Sequence, residues 1–222
     1  MRRLFLFTLF IAAALGARAD HHLTHRFETS VPLRNIRRVI VAIPAGGIHV
    51  TNGKSNDIVA SGAVRREYDD DDDRAELQRV IDDIDVEVYT NGSEAIVRRH
   101  YGPNAHGWRI TKMAAVDLDL AVPPGVDIEF ETKAGEIWLD GTFGNIDTDL
   151  RAGEIHVRTP RANVKELSAS TRIGEVHTSL GDRRIDREGV FPGTTHFVNP
   201  EGGRSTMNLH TTVGEVHVTL TK

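Results

Sequence analysis

Four copies of one short pattern constrain this chain more than any other feature: Ala134-Gly135-Glu136-Ile137-Trp138, Ala152-Gly153-Glu154-Ile155-His156, Ile173-Gly174-Glu175-Val176-His177 and Val213-Gly214-Glu215-Val216-His217. Their glycines fall 18, 21 and 40 residues apart. The long interval is two steps of about twenty, and Gly193, ahead of the β-type stretch 194–198, marks a degenerate rung within it. A period near twenty suits stacked β rungs, because helical repeats need longer units. Val, Ile and Thr fill the strands, and glycine turns the corners without a Cβ clash. The expected fold is all-β: a single β-solenoid, or β-helix-like repeat domain, with one short helix inserted in the N-terminal half.

Alternation sets the orientation of the rungs. Val116, Leu118, Leu120 and Val122 share one face, as do Val126, Ile128 and Phe130, while Asp117, Asp119, Asp127, Glu129 and Glu131 share the other. Pro123-Pro124-Gly125 separates the two runs as a corner. In the repeats Ile137/Leu139, Ile155/Val157 and Val176 then point inward, and each Glu with its Trp or His points outward. Further strands are expected near 39–43, 47–50, 58–64, 84–89 and 95–100, and Gly47-Ile48-His49-Val50 echoes the later rungs. The helix is placed at 74–83, where Ala75, Leu77, Val80 and Ile81 recur at helical spacing. The acidic run 69–73 before it complements the N-terminal end of the helix dipole.

The first residues carry a different signal. Arg2 and Arg3, an apolar run over 4–15 and the small residues Ala17 and Ala19 have the layout of a secretory leader over 1–19, cleaved before Asp20. A flexible mature N-terminus over 20–36 and a single domain over 37–222 are expected to follow. The chain has 27 basic and 32 acidic residues, and loss of Arg2, Arg3 and Arg18 makes the balance more acidic, which disfavours nucleic acid as a partner. No other stretch is apolar enough to span a membrane. With no cysteine there is neither a disulfide nor a lipid-modified N-terminal Cys. The expected location is the periplasm, the cell surface or the extracellular space, and the expected partner is an envelope polymer or protein, with oligomeric state left open.

The acidic stretch leading into a helix, the corner in "VDLDLAVPPGVDIEFET" and the following "AGEI" and "GEV" rungs together resemble the adhesin-like family of bacterial envelope proteins, over most of residues 37–222. The resemblance implies a β-solenoid-like fold and an envelope role, and it brings no catalytic residues with it.

Candidate chemistry lies on the outward face. Stacking in chain order puts Lys133, Arg151 and Arg172 in one column, Glu136, Glu154, Glu175 and Glu215 in a second, and Trp138, His156, His177 and His217 in a third. Such columns can be a solvated face that fixes register. They can also be a ligand face, with Trp138 at one end stacking on a sugar, or imidazoles and carboxylates holding Zn²⁺ or Cu²⁺. A second metal reading uses Asp20, His21 and His22, where a free amine, two amide nitrogens and a third-position imidazole make a square-planar set. The run 69–73 lacks the alternating ligands and central glycine of a calcium loop. No Gly-x-Ser-x-Gly elbow, phosphate loop, His-Glu-x-x-His or cysteine nucleophile is present. The expectation is therefore a non-enzymatic interaction module with no resident cofactor; a periplasmic Cu/Zn-binding protein is the alternative, and a carbohydrate-active β-helix enzyme is a more distant one.

Overall fold

The glycine of each repeat lies directly against the glycine of the next. The computed structural model describes residues 22–68, 73–103, 105, 114–180, 183–186 and 193–222. Their strands are β1 (His22–Pro32), β2 (Arg38–Ala42), β3 (Ala45–Asn52), β4 (Asp57–Glu67), β5 (Ile84–Asn91), β6 (Glu94–Tyr101), β7 (Ala115–Val122) and β8 (Asp127–Phe130). The C-terminal half adds β9 (Ala134–Asp140), β10 (Ile146–Pro160), β11 (Val164–Ile173), β12 (Val176–Leu180), β13 (Arg183–Asp186), β14 (Gly193–Val198), β15 (Ser205–Val213) and β16 (Val216–Thr221). One helix, α1 (Arg74–Asp82), and a 3-10 turn at Arg161–Asn163 complete the described elements. The all-β expectation with one short helix holds, as do the strands expected in the N-terminal half.

All 16 strands belong to one hydrogen-bonded sheet. One wall is a parallel stack in the order β3, β9, the C-terminal half of β10, β16 and β12. A second wall stacks β2, β8, the N-terminal half of β10, β15 and β11, also in parallel. Each level of one wall continues into the other through the glycine corner. Ile48, Ile137, Ile155, Val216 and Val176 form an inward row in this order, and each is at most 3% exposed. Phe130, Leu150, Leu209 and Leu167 fill the opposite wall, so apolar rows meet across the interior.

The glycines are required by this stacking. Gly153 has φ +131°, and a Cβ there would overlap the carbonyl oxygen of Gly135. Gly174, Gly214, Gly135 and Gly46 repeat the geometry, each against its neighbour's backbone. The repeat is thus a column of backbone-to-backbone approaches that excludes any side chain.

The two ends of the sheet path, β1 and β5, pack together without pairing, so the sheet is nearly closed and barrel-like rather than clearly the expected solenoid repeat. Helix α1 packs on β1, β4 and β5, burying Leu77, Val80 and Ile81. Ala75, expected on that apolar face, is exposed. Asp73 caps the helix, its Oδ1 accepting from the backbone N–H groups of Ala75 and Glu76 at 3.0 and 3.1 Å. The rest of the acidic run, the leader, Asp20 and His21 lie outside the described residues.

Three expectations need correction. The segment 20–36, expected to be flexible, contains β1, which pairs with β4 over its full length and buries Leu23 and Phe27. The region after Gly193 is not a degenerate rung: β14 runs antiparallel to β11, and its Val198 is 58% exposed. The rungs do not stack in chain order either, because the last one (β15–β16) sits between β10 and β11–β12.

Candidate functional site

The outward positions of the glycine-led wall form columns, and the permuted order decides which residues meet. In the aromatic column the Cα register runs His49, Trp138, His156, His217, His177. The rings are stacked: Trp138 on His156 with centroids 3.8 Å apart and planes 5° off parallel, His156 on His217 at 4.7 Å and 4°, and His217 on His177 at 4.8 Å and 14°. The strand spacing of about 4.8 Å sets this separation, so identical side chains on successive rungs stack by default.

Each ring is held by the carboxylate two residues before it. His156 Nε2 lies 2.9 Å from Glu154 Oε2, His217 Nε2 2.9 Å from Glu215 Oε2, and His177 Nε2 3.1 Å from Glu175 Oε2. Trp138 Nε1 donates to Glu136 Oε2 at 3.4 Å. Residues i and i+2 share a strand face, so the Gly-Glu-x-His spacing itself creates these pairs. The three imidazoles are only partly exposed, with His156 at 18% of its side chain, and their carboxylates are roughly half exposed.

The predicted aromatic and acidic columns therefore come together, with three differences. Trp138 is not at the end, because His49 extends the column beyond it and pairs with Asp119 at 3.5 Å. One face of the Trp138 ring is covered by His156, which removes that face from contact with a ligand. The basic column is interrupted: Lys133 and Arg151 are adjacent, but the register places Thr212 between Arg151 and Arg172. Among the described residues none of these three cations forms an ion pair with the glutamates. His22, the one described member of the N-terminal metal set, is an exposed residue at the start of β1, level with Glu67.

Sequence reasoning missed a strip beside this ladder. Ala45, Ala134, Ala152, Val213 and Ile173 share the register position just before the glycines, and Val213 and Ile173 are each 45% exposed. The signal is legible as the small or apolar residue preceding each repeat glycine. The face is thus an apolar strip between cationic and acidic columns, bordered by stacked rings. Among the described residues an open groove is lined by Arg26, Glu28, Ser61, Asp117 and Asp119, and a smaller one by Arg38, Asp127, Glu129 and Asp147. No helix among the described residues is long and apolar enough to cross a membrane.

Two solved structures are similar in backbone path. A candidate cell adhesion protein from Clostridium sporogenes is 9% identical over 89% of this chain and 99% of its own, with a TM-score of 0.46. A candidate adhesin from Bacteroides fragilis is 11% identical over 87% of this chain and 97% of its own, with a TM-score of 0.29. No protein-family model and no curated protein matches the chain. At these identities and TM-scores neither neighbour assigns a ligand or an activity.

Proposed function

We propose that this chain is an exported, adhesin-like interaction module of the bacterial cell envelope: a short β-solenoid that acts without catalysis and binds an envelope polymer or protein through its glycine-led wall. The observation that carries the reading is the regularity of that wall. Its columns repeat from rung to rung, with the apolar strip from Ala45 to Ile173 running beside the ring stack from His49 to His177. A repeating face matches a repeating or extended partner, whereas an active site is a local departure in which a few groups are placed for one task. The apolar strip gives non-directional contact area, and the flanking Lys133, Arg151 and Arg172 supply charge for orientation. The layout of residues 1–19 supports export.

The test is co-sedimentation of the full chain with purified bacterial cell-wall sacculi and outer-membrane fractions, with Trp138→Ala, Ile173→Ser and Val213→Ser variants alongside. The reading expects saturable binding to at least one fraction, at least about tenfold weaker in the variants, with no polymer released. Unchanged binding in all three variants would remove the wall as the binding face. Release of soluble fragments that disappears on a single Glu→Gln change would make the chain an enzyme.

A further inference from the structure

We propose that the ring ladder holds one divalent transition-metal ion, of the Zn²⁺ or Cu²⁺ class, at a centre whose shared ligand is His217. Two groups of donors stand on the ladder: Glu154, His156 and His217, and His177, Glu215 and His217. Within each group the donor atoms lie within 4.8 Å of one another. Imidazole nitrogen together with carboxylate oxygen is the donor set that borderline divalent ions prefer.

The donors are close, and an ion would be shared by tilting neighbouring rings toward each other, since the stacked His156 and His217 lie 4° from parallel with centroids 4.7 Å apart. Every imidazole turns Nε2 toward its own rung's glutamate, so nitrogens and carboxylate oxygens are drawn to the same side of the column. Ligands on one Zn²⁺ sit about 2.0–2.2 Å from the metal, so two nitrogens on the ion are roughly 3.3 Å apart. Closing to that distance requires torsion changes in partly exposed side chains and leaves the strands where they are. Each Glu then exchanges a hydrogen bond to imidazole for a bond to the ion or a position behind the ring, where a carboxylate fixes the orientation of a ligating histidine. The donor set is bounded on one side, because the Trp138 indole nitrogen carries only a proton to donate. His49 lies beyond Trp138 and is cut off from the other imidazoles.

The permuted rung order makes His217 the centre. In chain order His177 would follow His156, but β16 is inserted between β10 and β12 and brings His217 against both. Since His217 belongs to both donor groups, one ion occupies the ladder at a time. This inference names a ligand for the face proposed above and rests on that reading. Binding of Zn²⁺ and binding of envelope fractions are measured separately, so either can fail alone.

The experiment is calorimetric titration of Zn²⁺ into the full, tag-free chain, with thermal melts of every variant without metal. One ion per chain is expected, bound more tightly than by a lone surface histidine. His217→Ala should weaken it at least about thirtyfold, and His156→Ala and His177→Ala about tenfold or less each. The double His156→Ala/His177→Ala variant should match His217→Ala, and His22→Ala should bind as the parent does. His217→Gln, which keeps a planar polar side chain, replaces His217→Ala if the latter melts early. Affinity no better than that of a single histidine, or a His217 variant within threefold of the parent, would overturn the proposal. So would loss of binding in His22→Ala, or two ions lost separately with His156 and His177.

Discussion

Replacing Gly153 by Ala should be among the most damaging single-methyl changes in this protein, and the structure says by how much. At φ +131° an L side chain is strained by about 1–3 kcal/mol. The new Cβ would also overlap backbone of Gly135 on the next rung, so two rungs must part locally, at about 1–3 kcal/mol. Hydrogen bonds from Ala152 N–H to Lys133 and from Ile155 N–H to Glu215 flank the site on opposite sides, and weakening one adds about 1 kcal/mol. The sum is roughly 3–7 kcal/mol, against a total stability of about 5–15 kcal/mol for a domain. Gly125 is the control: its φ is +82° but an added Cβ meets nothing within 4 Å, so Gly125→Ala should cost only about 1–2 kcal/mol. Urea and thermal unfolding followed by circular dichroism measure both. The melting temperatures should differ by roughly 10 °C, at about 2–4 °C per kcal/mol for a chain of this size. If Gly153→Ala and Gly125→Ala unfold at the same urea concentration, close backbone approach is not what the repeat glycines provide.

Other changes separate core, cap and ladder. Ile155→Asp puts a carboxylate at a fully buried position among apolar rows and should abolish cooperative unfolding; a variant with parental stability would contradict the inward assignment. Asp73→Ala removes the cap of α1 and should cost about 1 kcal/mol, with faster hydrogen exchange at the Ala75 and Glu76 amides as the specific sign. Asn199, 4% exposed, donates to the carbonyls of Arg161, Val164 and Gly202, and Asn199→Ala should cost about 2–3 kcal/mol in chemical denaturation. His156→Ala and His177→Ala, by contrast, should each leave stability within about 1 kcal/mol, because both rings are partly exposed and their glutamates keep access to water.

The local structure was legible because its causes are local. The alternation around Val116–Val122 fixed that strand's buried face, the Pro123-Pro124-Gly125 corner fell where expected, and the Gly-acid-Ile/Val motif placed Ile137, Ile155 and Val176 inside. The order of the rungs was not legible, because every copy presents the same surface to its neighbours. Gly214 fits against Gly153, and Gly174 against Gly214, through the same backbone contact. What separates β11 from β10 is the 3-10 turn at Arg161–Asn163, which carries the chain past the slot that β15 later fills. Asn199 and Asn163 tie that crossing together with bonds to backbone carbonyls, and nothing in a repeat pattern announces them. The same blindness hid the interruption of the basic column by Thr212. The strand over 22–32 was missed for a different reason: its only apolar anchors, Leu23, Phe27 and Val31, are spaced four apart, which is a weak period-2 signal amid polar residues.

The ring ladder exists only if β16 lies between β10 and β12, since that order stacks the rings and makes His217 their centre. The chain has no cysteine, so introduced pairs report without background. Arg158 is level with Thr219, and Thr219 with Ser179, which puts Arg158 and Ser179 two strands apart, about 9.6 Å. Under mild oxidation the Arg158→Cys/Thr219→Cys protein should form an intramolecular disulfide, because neighbouring strands fall within the Cα range of such bonds, and Arg158→Cys/Ser179→Cys should not. The opposite result, a disulfide joining 158 to 179 and none joining 158 to 219, would mean that the rungs stack in chain order and that the ladder described here does not exist.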